Sequence, residues 1–409
     1  MGQGTYQSIP ALIAEELELA PDQYTVKQSG GEAQFGPMQF SGGSFSVRAS
    51  YMDLRKVGAA AREMLISAAS KQWGVPASEC YAENAKIIHK PSGKSLGYGD
   101  LVETASKLEA PKEPKLKDPK DFKILGKSIK RSDIPLKSSG KAVFGIDVDV
   151  PNMVYASVER CPVFGAKLIN FDKAAALKVT GVEQVIEVER DVDGKKYMGV
   201  AVVAKNYWAA TKGRKVLNVK WDFQGNDSFN TKDYFQSLRD GLKNEGLVQH
   251  SQGDFDKTYS ASTNQVESVY ETPFVSHNTM EPMNCVAHWK EGDKLEIWAS
   301  TQAPSMVMGD FPKRFGLKAE DIKLNVTFNG GGFGRRLNLD FIVEAVNLSK
   351  TIKKTCKTCL VEGRRYTNGT FPPTYVFSDE RLSFKRWEIG SFSTQSNSTY
   401  IAFVGRCAR

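Results

Sequence analysis

No stretch of this 409-residue chain approaches the ~20 consecutive apolar residues that a membrane-crossing helix needs, so no membrane span is expected. The opening MGQGTYQSIPALIAEEL has no basic flank ahead of an apolar run, which leaves no recognisable secretory signal. Cysteine is sparse, with six in all, and only Cys356 and Cys359 stand in a C-x-x-C. No second pair or nearby His completes a tetrahedral zinc set, so the motif reads as chance. Charge of one sign is also lacking in the body of the chain. The net charge is +8, but residues 351–409 alone hold ten Lys and Arg against four Asp and Glu. What remains is close to neutral, which argues against a phosphate-tracking surface and a nucleic-acid partner.

What is present is an ordinary globular composition, 41% hydrophobic and 25% charged, long enough for several domains. Ile9, Leu12, Ile13 and Leu17 recur at helical spacing after a Gly2-Gln3-Gly4 loop. A second loop, Ser41-Gly42-Gly43-Ser44, precedes a helix expected over about 51–72, stopped by Gly74 with Pro76 beyond. Residues 107–123 hold six Lys, four acidic residues and three Pro, and read as a solvated linker and first domain boundary. Residues 137–223 alternate strand and helix patterns: strands over 142–150, 153–158, 182–188, 198–204 and 216–221, helices over 171–179 and 206–215. Strands are expected again over 267–270, 285–289, 295–299 and 322–328, then a helix over 337–350. The fold class is α+β.

The strongest chemical signal is Gly330-Gly331-Gly332-Phe333-Gly334-Arg335-Arg336, a glycine run between a strand and a helix. Such a turn brings bare backbone N–H groups close to a ligand, and the helix start favours an anion. It is not followed by the G-K-[ST] of a phosphate loop and lacks the G-x-G-x-x-G order. Taken alone it is as much a tight turn as a binding loop. Three glycine loops together suggest one extended anionic ligand, such as a pyrophosphate-bearing cofactor. Gln302, in Ser300-Thr301-Gln302, follows a strand and can place an amide beside it. His277 and Glu281 are more simply a structural pair, and His89, His250 and His288 have no partners in the sequence.

The segments NGGGFGRRLNLDFIVEAVNLSK, HNTMEPMNCVAHW, STQAP, MGQG and GGSFSVR together resemble the molybdenum hydroxylases. The closest group is the large subunit of isoquinoline 1-oxidoreductase and related aldehyde or xanthine dehydrogenases. The resemblance covers residues 1–350 and implies an a/b hammerhead domain over 124–225, lying between partial molybdopterin-binding portions over 1–123 and 226–350. It implies a molybdopterin cytosine dinucleotide carrying molybdenum, with Gln3, Gly4, Gly42, Gly43, Ser44, Gly331, Gly332, Phe333, Gly334 and Arg335 on the cofactor side. No protein side chain is expected to ligate the metal. The activity implied is hydroxylation of an N-heteroaromatic or aldehyde carbon with water. Electrons would leave through a small two-iron two-sulfur subunit, with a cytochrome c as acceptor. The full-length family is periplasmic, exported by a twin-arginine signal; without that signal this chain is expected to stay in the cytoplasm. The family's base Glu lies in a late Gly-Glu-Pro motif not found here, so no catalytic residue is assigned and both ends are expected to be missing. The rival readings are a nucleotide- or phosphate-binding protein using the glycine loop, and a non-catalytic basic binding module.

After Lys350 the texture changes. Ser and Thr make up six of the nine residues 391–399, and neither structural period persists. The family continues with a strand reading like KPVKLVWSREDD, where this chain reads KKTCKTCLVEGRRYTNGT. With permitted codons, starting one base later turns Cys359–Phe371 into VWSREDDTQMGHF. Residues 351–409 are therefore expected to be a frameshifted, disordered tail whose shift begins near Thr355. Sequencing the coding DNA tests this. Deleting one base near the Lys353 and Lys354 codons should give a frame reading PVKPVWSREDDTQMGHF, continuing toward a Gly-Glu-Pro motif. A stop codon within the first few dozen bases of that frame would rule the shift out.

Overall fold

The computed structural model describes residues 1–359 except 164, 193, 243, 245–246, 264, 270–273 and 275–276, together with the strands Phe392–Ser396 and Val404–Ala408. It divides into two compact units. The first comprises Met1–Tyr155 and Thr279–Cys359, the second Ala156–Asn278 and Leu360–Arg409.

In the first unit, the helix Thr5–Glu16 lies against the long helix Phe45–Trp73. Leu12, Ala14, Ala59, Leu65, Ala68 and Ala69 are buried, and small residues let the backbones approach. The long helix ends where expected, at Gly74 in the left-handed region. Beyond it a three-stranded antiparallel sheet, Cys80–Glu83, Lys86–His89 and Ser95–Gly97, packs Ile87 against Leu65 and Leu101. His89 does find partners there: its ring nitrogens lie 2.8 Å from Glu79 Oε2 and 2.7 Å from Ser92 Oγ.

The stretch 107–123 is not the free linker and unit boundary expected from its composition. Two buried carboxylates at the end of the first helix capture it. Glu15 accepts from the backbone N–H groups of Lys123, Ile124 and Leu125 and pairs with Lys117 Nζ. Glu16, wholly buried, pairs with Arg55 at 2.7 Å and Arg62 at 3.1 Å and accepts from Lys117 N at 3.0 Å. Buried carboxylates must be satisfied, and here backbone donors of the stretch satisfy them. The first unit therefore runs on to Tyr155.

The rest of that unit is a small sheet in the order Ile322–Val326, Lys294–Ala299, Asn284–Lys290, Cys356–Cys359. Lys294–Ala299 and Ile322–Val326 run parallel, so a crossover is required. It is the helix Pro304–Phe315, unforeseen in the sequence reading, with Val307 and Phe311 buried. The helix Asp340–Ile352 covers the sheet with Phe341, Ile342, Val343, Ala345, Val346 and Leu348, and Ser349 Oγ accepts from Trp289 N at 2.9 Å. The expected strand over 142–150 is instead a single turn, Gly145–Asp147, between extended flanks.

The expected tail also begins too early. Thr351 and Ile352 complete the last helix, and Cys356–Cys359 is a paired strand. Within it Cys356, Lys357 and Thr358 are buried, and Lys357 Nζ donates to Val148 O at 2.9 Å. Burial raises the Cys356 thiol to about 12, so it stays protonated at neutral pH.

In the second unit the strands Val154–Arg160 (from Ala156 on), Lys195–Ala204 and Val182–Val192 adjoin in that order. Lys195–Ala204 and Val182–Val192 form a long antiparallel hairpin. Asn206 caps the helix Tyr207–Lys215 by accepting from Ala209 N at 2.9 Å. Val185, Val200, Val202 and Leu217 form the core. The closing strand is shorter than expected, Lys220–Asp222, paired with Lys167–Asn170. The unit extends past the expected boundary at residue 225. Residues 224–262 hold the helices Thr231–Gly241 and Phe255–Ala261 and the strand Leu247–Gln252. Leu247–Gln252 lies in a sheet with Gln265–Val269, Val404–Ala408 and Phe392–Ser396, so these last two segments pair as strands inside the expected tail. Residues 360–391, 397–403 and 409 lie outside the described residues.

Removing Glu16 would strand the buried Arg55 guanidinium and the partly buried one of Arg62. Glu16→Ala is expected to cost about 3–5 kcal/mol in urea unfolding, and a loss below ~1 kcal/mol would dismiss the clasp. Burial alone would raise the Glu15 carboxyl, but Lys117 and three backbone donors hold it below its ordinary value. Its stabilisation is therefore present above the unfolded glutamate value of about 4.3 and is lost as pH falls below it. Glu15→Gln should flatten that acid limb.

Candidate functional site

Both parallel strands of the first unit end on the same side, and ligand sites of open α/β sheets lie at such carboxyl ends. Lys294–Ala299 delivers Ser300, Thr301 and Gln302 there; Ile322–Val326 runs on to the glycine loop 330–334. All three glycine loops meet at this point. Gln302 Nε2 donates to Ser41 O at 2.6 Å, and Ser41 N donates to Gln302 O at 2.8 Å, which ties down the Gly42-Gly43-Ser44 loop. Leu337 packs beside Gly42. A Cβ on Gly332 would run into Met1 Sδ and come within 2.5 Å of Gln302 Oε1, so a larger residue there would push the Met1 and Gln302 side chains away. Gly2 O accepts from Arg131 Nη1 at 2.8 Å. Arg131 is held in turn by Asp133, whose carboxyl is lowered to about 2 mainly by that bond.

The loop is fixed from behind by Glu281. Its carboxylate accepts from Gly330 N at 2.8 Å, Ile146 N at 3.0 Å, Asn284 Nδ2 at 2.9 Å and Arg336 Nη2 at 2.9 Å. Glu281 N donates to Gly330 O at 3.0 Å. The sequence reading pairs Glu281 with His277; the partners its carboxylate takes here are instead Gly330, Ile146, Asn284 and Arg336. His277 falls in the second unit.

The candidate residues differ in what they offer. Gly4 and Gly334 adopt left-handed conformations at helix starts. Gln3 and Ser44 are exposed. Phe333 is held at a φ of 51° and the residue is 67% exposed, a costly arrangement for an aromatic residue. Arg335 departs from expectation. Its guanidinium forms a buried bidentate pair with Asp340 at 2.8 and 2.9 Å, and its N–H donates to Gly332 O, so neither faces a ligand. One atom is conspicuous for the opposite reason: Gln302 Oε1 is buried and accepts no hydrogen bond. Asn284 Oδ1, behind the loop, is likewise buried and unpaired, and a buried acceptor is costly unless water or a ligand donates to it. Glu281, Arg131, Asp133 and Arg336 were not picked out as site builders from the sequence. The Met-Glu-Pro and Gly-Arg-Arg texts were visible, but their meeting is not.

A cavity of about 720 Å³ opens beside Gly4, between the first helix, Tyr51 and the 119–131 stretch. Its wall is largely apolar, with Lys127 and Arg131 as its basic members.

Residues 239–366 match the family of molybdopterin cofactor-binding domains, a span that includes Glu281, Gln302 and the glycine loop. Among curated proteins the chain is 29% identical to the beta subunit of isoquinoline 1-oxidoreductase from Brevundimonas diminuta, over 87% of this chain and 51% of that one. It is 27% identical to a membrane-bound aldehyde dehydrogenase (pyrroloquinoline-quinone) of Gluconacetobacter polyoxogenes, over 86% and 46%. With a nicotinate dehydrogenase chain of Pseudomonas putida the identity is 26%, over 90% and 31%. The chain is a relative of the molybdopterin-binding subunits of molybdenum-dependent oxidoreductases, and it spans about half or less of the length of these relatives.

Truncating Glu281 would leave Arg336 buried without its counter-charge and free the loop. Glu281→Ala is expected to lower stability by about 3–5 kcal/mol in chemical denaturation. A variant within ~1 kcal/mol of the parent would show that the loop is held some other way.

Proposed function

We propose that the chain is part of a molybdopterin-dependent oxidoreductase subunit that hydroxylates an aldehyde or N-heteroaromatic carbon with oxygen from water. The observation that carries this is the convergence of three glycine loops around the unpaired, buried Gln302 Oε1. A pterin suits that cradle. It is flat, its ring N–H groups can satisfy the amide oxygen, and its phosphate arm suits backbone donors at helix starts. When bound, the cofactor supplies a metal that activates water and accepts electrons. The chain's own part is to hold: Gln302 accepts a hydrogen bond, Gly332 permits close approach, Glu281 braces the loop and Arg131 anchors Gly2 O.

The chain on its own is inactive in this reading. The carboxylate behind the loop, Glu281, already takes four donors and is not a free base. The finer assignments belong to the same proposal: a cytosine dinucleotide form of the cofactor, a hammerhead arrangement around the Val182–Ala204 hairpin, and a tail read in a shifted frame. So do electron transfer to a two-iron two-sulfur subunit and on to a cytochrome c, and a periplasmic place for the longer protein. The named relatives support the two substrate classes: two carry isoquinoline and nicotinate in their names, one an aldehyde.

The test uses two proteins made in a host that synthesises the dinucleotide cofactor. The present chain should purify with little molybdenum and no dye-linked oxidation. The gene with one base removed after the Lys354 codon, co-produced with its iron–sulfur subunit, should carry molybdenum and insert ¹⁸O from labelled water into product. Stoichiometric metal with turnover in the short chain would overturn its inactivity. Absence of pterin from both, with ATP or NAD binding instead, would overturn the function.

A further inference from the structure

A guanidinium group carries five N–H donors in one plane. At Arg336 every one of them has an acceptor. Nε donates to Gly331 O at 2.7 Å, and Nη1 to Ser300 O at 3.3 Å and to Ser300 Oγ. Nη2 donates to Glu281 O and Glu281 Oε2, both at 2.9 Å. The side chain is completely buried. Burial lowers its pKa to about 10, with the Glu281 charge opposing the shift, so it stays protonated at neutral pH. Its backbone carbonyl accepts from Gln302 N at 3.0 Å and Thr301 Oγ1 at 3.2 Å. One residue thus grips the glycine loop with its side chain and the Gln302 segment with both side chain and backbone. Through the Gln302 bonds to Ser41 that grip reaches the second glycine loop.

We propose that Arg336 is the positioning residue of this site, setting the distance between the unpaired Gln302 acceptor and the glycine loops. The molybdopterin reading supplies only the identity of the ligand so positioned. Lysine has three donors on a point charge and cannot span Gly331, Ser300 and Glu281 at once. Its substitution preserves the charge that balances Glu281 while releasing the loops from one another.

Hydrogen–deuterium exchange on the whole chain, without cofactor, tests this. Arg336→Lys should speed exchange at least tenfold in 300–302, 330–334 and 41–43 and leave the Cys80–Gly97 hairpin at its parent rate. Ile87→Val, in the separate core under that hairpin, serves as a destabilised control and should leave the three loops unchanged. Should the lysine variant fail to fold, Ser300→Ala removes one acceptor and should raise exchange in 300–302 and 330–334. Parent rates in the three loops of a folded lysine variant overturn the proposal. So does an equal rise caused by Ile87→Val, or a flat Ser300→Ala. Because no cofactor is present, failure of the molybdopterin reading would leave this result intact.

Discussion

The buried carboxylate of Glu281 is the constraint on which the rest of the site depends. An ionised group out of water is tolerated only when its lone pairs are filled, and here two backbone donors, an amide and a guanidinium fill them. Those donors come from three separate places in the chain: 330 and 336 in the glycine loop, 146, and 284. Satisfying one charge therefore brings together the glycine loop, the 145–147 turn and the strand start. The geometry is stringent because leaving any of these groups unpaired costs more than a surface contact is worth.

The same device recurs at the other side of the unit, where Glu15 and Glu16 collect backbone donors at 117 and 123–125 together with Arg55, Arg62 and Lys117. Asp133 does it again on a smaller scale, holding Arg131 and Lys137. Lys357 is the cationic counterpart, a buried ammonium donating to the carbonyls of Ile146 and Val148. Apolar packing builds the helices and sheet, but buried charges decide where the irregular segments lie. This division suits a binding site made of glycine loops, which have too few side chains to place themselves by packing.

Part of this was legible in advance. The strand Lys195–Ala204 announced itself by its apolar run Val200–Ala204, and the long helix by its glycine stop. The helix Pro304–Phe315 was missed even though Pro304 stands at its first turn and Gly316 ends it in the left-handed region. Its interior Pro312 and mixed apolar pattern hid those caps. Residues 107–123 misled for a different reason. Lys and Pro normally mark solvated chain, and nothing local to them reports that two carboxylates a hundred residues earlier need their N–H groups.

The amino-acid order by itself determined the local grammar of this protein. It specified where glycine permits close approach, where helices start and stop, and which texts resemble a molybdopterin-binding family. These depend on neighbours a few residues apart, through backbone sterics and hydrophobic period. Only the tertiary structure decided that the three loops meet around Gln302, that Arg335 turns inward to Asp340, and that Gln302 keeps an unpaired oxygen there. Those outcomes depend on which buried charge finds which donor across tens to hundreds of residues. Many pairings of that kind are compatible with one sequence pattern, and the folded core leaves room for one.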